Sequence, residues 1–225
     1  MSEVIITVRG EHEARVTPEE GVARLSVRAE GPDRAAVVDR VVTLSEPLRH
    51  GLSAYEAAGT VREWSSQRVS VWANRPWNSE GTQLPLVHYA AVELTATFTD
   101  FDALSAWLTE TASVEAVQID GVEWRLSPAT ERSAEAEVAA SAVRVAVDRA
   151  TAYAAAIDRS TVTPLEIADL GLLTQGRRSS GGAPETMRMA TASFAADAAR
   201  GTGTFEFQPE DIVVTAAVEA RFSAR

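Results

Sequence analysis

The chain has 225 residues, with 32 acidic and 21 basic side chains, a formal net charge of -11, no cysteine and 45% apolar residues. That is a globular composition, and a chain of this length buries enough surface to fold without disulfides or structural metals. With no cysteine and with every basic residue an Arg, thiolate metal sites, a cysteine nucleophile, Schiff-base chemistry and a P-loop lysine are all excluded.

An acidic surface without clustered Arg repels phosphate backbones, so nucleic acid is not an expected partner. The amino end, Met1-Ser2-Glu3-Val4-Ile5-Ile6-Thr7-Val8, has no basic region and too short an apolar run for a signal peptide, which makes the cytoplasm the expected location. No stretch approaches the ~18 consecutive apolar residues of a spanning helix, so no membrane span is expected.

Residues 4–30 read as two strands, with Val4, Ile6 and Val8 alternating against Ile5, Thr7 and Arg9, and Ala23, Leu25, Val27 and Ala29 against Arg24, Ser26, Arg28 and Glu30. Gly31-Pro32-Asp33 opens a helix whose stripe is Val37, Val41, Leu44, Leu48, Leu52 and Tyr55. Pro47 is expected to kink or split it, and Gly59 to stop it. Two longer strands follow at roughly 61–73 and 86–98, joined by a turn containing Asn74, Pro76, Asn78 and Gly81. Thr99 is expected to cap a short helix with Phe101, Leu104 and Leu108 on its apolar face.

Val114 to Leu126 reads as a strand bulged at Asp120-Gly121. The longest helix, about 129–158, is expected to bury Ala139, Val143, Ala146, Ala150, Tyr153 and Ile157, and to expose Arg144 and Asp148. Leu165 to Leu170 is a short strand, residues 174–206 read as a flexible excursion, and alternation from Ile212 to Phe222 closes the chain as a strand. The order β-β-α-β-β-α-β-α-β-loop-β gives an α+β fold: mostly antiparallel sheets packed with two long helices and one short one. A strand–long helix–strand unit occurs at 22–73 and again at 114–170, which suggests a diverged duplication and sub-halves 1–112 and 113–225 within a single domain, 1–225.

The familiar site chemistries are not legible. His12, His50 and His88 are scattered, with no metal-ligand spacing. Gly51-Leu52-Ser53-Ala54-Tyr55 lacks the closing Gly of a nucleophile elbow and lies in a helical pattern. Gly201-Thr202-Gly203 has Glu206 where a dinucleotide loop needs its third Gly. Glu131, Glu135 and Glu137 suit the start of a helix, where the dipole favours carboxylates. No metal or cofactor is expected. Of the five tryptophans, Trp107 and Trp124 read as core; Trp64 lies on the strand that leads to a loop tip flanked by Trp72 and Trp77, which are the candidate interaction surface.

Ile6-Thr7-Val8-Arg9-Gly10-Glu11, Ala58-Gly59, His88-Tyr89-Ala90-Ala91-Val92-Glu93-Leu94, Thr99-Asp100-Phe101-Asp102-Ala103-Leu104, Ile119-Asp120-Gly121-Val122, the Ala142–Ala154 stretch with Val147-Asp148-Arg149-Ala150, and Pro209-Glu210-Asp211-Ile212 occur in the order and spacing of the SIMPL domain family. The chain resembles that family over nearly its whole length, with Thr151 where a Lys is common and Asp158 where Gly is usual. The resemblance implies a bacterial, often periplasmic protein linked to envelope or oxidative-stress tolerance, in a family whose mammalian namesake is an adaptor for a pelle-like kinase. It carries no catalytic residues.

The expected role is therefore a non-catalytic interaction or scaffold protein, with a homo-oligomer or another protein as partner. The rival expectations are a small-molecule binder using an aromatic-lined cleft and an enzyme using clustered carboxylates.

Overall fold

The computed structural model describes residues 3–175, 193–194 and 205–225. The expected excursion at 174–206 lies for the most part outside the described residues.

The elements are β1 (Val4–Val16), β2 (Glu20–Gly31), α1 (Arg34–Ala57), β3 (Val61–Asn74), β4 (Val87–Phe98), α2 (Phe101–Thr111), β5 (Val117–Arg125), α3 (Pro128–Ala156), β6 (Val162–Asp169), α4 (Leu172–Gln175), β7 (Ser193–Phe194) and β8 (Ile212–Ala224). The fold is α+β, with two antiparallel sheets ordered β1-β8-β6 and β3-β4-β2-β5-β7. Among the described residues no helix is long and apolar enough to cross a membrane.

Contacts divide the chain into two units. One holds Pro18–Arg125 together with β7 and the segment before Asp211; the other holds β1, α3, β6, α4 and β8. In the larger sheet, Ala23, Leu25 and Val27 of β2 and Leu94, Ala96 and Phe98 of β4 meet Leu48 and Leu52 of α1 and Leu104, Trp107 and Leu108 of α2. Fully burying one such side chain is worth about 1.5–3 kcal/mol. Phe205 and Phe207 join this core beside Trp124, the Phe207 and Trp124 rings meeting edge to face at 5.5 Å. Pairing of β2 with β5 skips Asp120, so the expected bulge is present, and Gly121 there has φ +137°.

In the other unit, β1 and β8 pair without a break from Val4↔Ala224 to Val16↔Ile212, and α3 packs across both strands. The buried stripe of α3 is Ala134, Val138, Ala142, Ala146, Ala150 and Ala154. This corrects the expected face: Tyr153 is 50% exposed, Ile157 is 47% exposed and caps the helix, and Ala139 and Val143 are only partly buried. Close approach explains the choice of small residues. A Cβ on Gly10 would lie 2.0 Å from the Ala142 carbonyl oxygen, so backbone meets backbone and only small side chains fit along that line.

Three other expectations shift. α1 runs unbroken through Pro47, which lies on the exposed face together with Thr43, the residue whose carbonyl loses its N–H partner. Asp100, not Thr99, caps α2, its carboxylate accepting from the Asp102 and Ala103 N–H groups at 2.9 and 3.0 Å. Beyond the Ile157 cap, Asp158 takes φ +56°. That left-handed position suits Gly.

Both units share one plan: strand, helix, strand, then a strand inserted antiparallel between the first two. In one unit these are β2, α1, β3 and β4; in the other they are β1, α3, β6 and β8. The element order expected over 22–73 is β2, α1 and β3, and the unit of matching order in the other sheet begins with β1 rather than β5. The stretch Pro18–Arg125 stands between β1 and α3, and the 112/113 boundary falls inside it.

Candidate functional site

The β3–β4 hairpin carries the most exposed aromatic surface among the described residues. Its last turns are extended by pairing of Trp72 with Tyr89, Ala73 with His88 and Asn74 with Val87. The Trp72 and Tyr89 rings stack with centroids 5.3 Å apart and planes 11° from parallel. Directly opposed aromatics on one sheet face reinforce the pairing. Stacking does not hide Trp72, which remains 45% exposed.

The connecting loop is built, not slack. Trp77 and Gln83 form a β-bridge, and the Leu84 N–H donates to the Pro76 carbonyl at 2.8 Å. At the apex, the Asn78 side chain accepts from the Glu80 and Thr82 N–H groups at 3.1 and 2.7 Å, an Asx-type turn. Gly81, at φ +74°, supplies the left-handed residue this turn requires. On this frame Trp77 is 67% exposed, with Leu84 and Leu86 also exposed. The nearest charges along the loop, Arg75 and Glu80, cancel. In a chain of net charge -11, the tip is a neutral, aromatic and aliphatic surface held in a fixed shape. It offers apolar area and two indole N–H donors.

The other tryptophans are placed differently. Trp107 and Trp124 are buried, and Trp64 is half-buried, its Nε1 donating to Glu56 at 3.0 Å. His12 lies on β1, His50 on α1 and His88 on β4. Among the described residues no three His, Asp or Glu side chains converge as a metal site needs. Glu131 is in the first turn of α3, with Glu135 and Glu137 following along the helix; Ser53 is within α1. The Gly201–Gly203 motif lies outside the described residues. A shallow depression lined by Ile5, Thr7, Leu165, Glu166 and Arg221 lies on the β1-β8-β6 sheet and includes none of the tryptophans.

One charged pair was not foreseen. Glu20, only 3% exposed, accepts from Arg62 Nη1, while Arg62 Nη2 holds Glu63 at 2.9 Å. Burial pushes the Glu20 carboxyl above its usual range, and the neighbouring guanidinium opposes that without cancelling it. The pair joins the start of β2 to the start of β3. Nothing in Pro18-Glu19-Glu20 distinguishes the buried carboxylate from its exposed neighbour, so sequence had no signal to offer.

Two antiparallel sheets, each with helices packed on it, define an α+β protein. The family model of SIMPL, described as Protein of unknown function (DUF541), matches residues 6–222. The chain belongs to the SIMPL family. No curated protein matches it.

Proposed function

We propose that the chain is a non-catalytic interaction module and that the tip of the β3–β4 hairpin is its contact surface. The observation that carries this reading is the exposure of Trp72, Trp77, Leu84 and Leu86 on a loop whose own hydrogen bonds hold it rigid. Preorganised aromatic anchors lose little freedom on binding and supply the area on which interface energy concentrates. By resemblance to bacterial members of the family, the setting is stress tolerance.

The test compares wild-type protein with Trp77→Ala combined with Leu84→Ser in affinity capture from cells under oxidative stress. The expected result is a defined protein retained by wild type and lost with the double variant, the purified pair then binding with the same dependence. Equal retention by both proteins overturns the reading. So does a blue shift of tryptophan emission with a small metabolite that the double substitution abolishes, because that result assigns the tip to a small ligand.

A further inference from the structure

The sheet edges differ in how they are closed. β3, at one border of the five-stranded sheet, is broken by register shifts at Val61/Glu63 and Ser65/Arg68. β6, at one border of the three-stranded sheet, carries Pro164 and a shift between Pro164 and Glu166. Bulges and prolines are among the devices that keep an edge from accepting another strand. β1, at the opposite border, has neither: its 13 residues pair with β8 in one unbroken register.

The hydrogen bonds show which backbone groups of β1 face outward. The Arg225 N–H donates to Thr161 and its carbonyl accepts from Ser160 and Thr161, so odd-numbered residues of β8 turn toward β6. Even-numbered ones turn toward β1, opposite Val4, Ile6, Val8 and Gly10. In an antiparallel strand both groups of one residue point the same way. The N–H and C=O of Ile5, Thr7, Arg9, Glu11, Glu13 and Arg15 therefore point away from the sheet. Arg149 supports this independently, its Nη1 donating to the Arg9 carbonyl at 2.8 Å. Among the described residues no other hydrogen bond reaches these outward groups, and all six side chains are exposed.

The charges along the edge select an occupant. The strand reads Arg9-Gly10-Glu11-His12-Glu13-Ala14-Arg15. Against a second, antiparallel β1, a register centred on Arg9 sets Arg9 against itself, and one centred on Glu11 sets Glu11 against itself. A register centred on His12 opposes Arg9 to Arg15 and Glu11 to Glu13. Centred on Gly10, Arg9 faces Glu11 of the second copy, twice by symmetry, while Thr7 faces Glu13 and Ile5 faces Arg15. Gly10 is also the midpoint of Val4–Val16, so the whole strand pairs, and registers centred further out pair less of it.

We propose that β1 is the pairing edge for a second copy of this chain, joined antiparallel about a two-fold axis at Gly10 so that two three-stranded sheets become one continuous sheet. Each directly opposed outward pair exchanges two N–H···O bonds, about a dozen in all. Arg149 gives up the Arg9 carbonyl when the strand arrives. Because α3 rests on both β1 and β8, its axis overlies the gap between them. With strands about 4.8 Å apart, the two copies of α3 then run side by side at about 10 Å, an ordinary helix spacing. The flank bearing Arg149 presents Ser141 and Val145, both half-buried, toward the copy. This surface shares no residue with the hairpin tip.

The test is mass in solution by light scattering and sedimentation across a concentration series. The expected wild-type species is a dimer of the 24.1 kDa chain. Thr7→Pro removes one outward N–H and no bond to β8; it should run as a monomer with an unchanged far-UV spectrum. Glu11→Arg opposes Arg to Arg9 and should weaken dimerisation about tenfold or more, and adding Arg9→Glu should restore it. Those two charge variants decide the matter if Thr7→Pro does not fold. Trp77→Ala should leave the dimer intact, which separates this proposal from the hairpin reading. A wild-type chain that stays monomeric across the whole concentration series overturns it, as does a dimer that survives both Thr7→Pro and Glu11→Arg.

Discussion

Replacing Gly10 by alanine probes the closest contact in the β1–α3 interface. The added Cβ would lie 2.0 Å from the Ala142 carbonyl oxygen, 2.7 Å from the Ala146 nitrogen and 2.9 Å from the Ala146 Cβ. These are backbone atoms and a Cβ, so no rotamer change relieves the overlap; α3 must withdraw by about 1 Å. A gap of ~0.5–1 Å already forfeits a quarter to a half of each dispersion contact it opens. That loss falls along a stripe in which Val138, Ala142, Ala146 and Ala150 are fully buried. Overpacking typically costs about 1–3 kcal/mol and occasionally more, while restricting the unfolded chain returns ~0.4–1 kcal/mol. A net loss of about 1–2 kcal/mol follows. Urea unfolding followed by circular dichroism should show the midpoint falling by roughly 0.5–1 M. Gly51→Ala is the control: nothing lies within 4 Å of its added Cβ, and in a helix interior it should stabilise by about 0.5–1 kcal/mol. If both substitutions shift the midpoint in the same direction, the backbone contact does not govern the interface.

Trp77→Ala should change the unfolding free energy by less than about 0.5 kcal/mol, whereas Trp107→Ala, which empties a core position, should cost ~3–5 kcal/mol; equal losses would mean that the hairpin tip is covered. Folding raises the pKa of Glu20 above its usual 4.5, so its stabilising contribution is full below that pH and is lost as pH rises through the folded value. Urea midpoints between pH 4 and 7 should therefore decline more steeply in wild type than in Glu20→Gln, and parallel curves would refute the burial effect. Asp158→Gly relieves a left-handed non-glycine residue and should raise stability by about 0.5–1 kcal/mol; a lower melting temperature would show that the Asp side chain holds the turn.

The strands were legible because alternation is a direct consequence of one buried face, and β1, β2, β4 and β8 all show it. On α3 the pattern locates Ala146 and Ala150 on the buried face but draws in large apolar residues that lie off it. Tyr153 and Ile157 satisfy a hydrophobic pattern, but the true contact line, Ala134 to Ala154 in steps of four, was selected for smallness by Gly10 on another element. Pro47 was misjudged because its cost depends on where the orphaned carbonyl points, which a sequence does not state. The Trp72 and Trp77 tip could be located from its turn residues, whereas the Asn78 scaffold that stiffens it depends on side-chain geometry. Glu20 and Arg62 lie in different strands and come together only through sheet order, and the outward groups of β1 emerge only from hydrogen-bond phase.

The pairing of β1 with β8 also imposes a timetable. Val16 and its partner Ile212 are separated by nearly the whole chain, and at roughly 5–20 residues per second a ribosome needs ~10–40 s to make what lies between them. Through that interval β1 has no sheet to join, while Pro18–Arg125 already contains β2, α1, β3, β4, α2 and β5 and can collapse behind it. During synthesis the nascent chain thus carries a long, finished strand waiting for its neighbour, and chaperone occupancy on the nascent protein should be concentrated at β1 until β8 emerges.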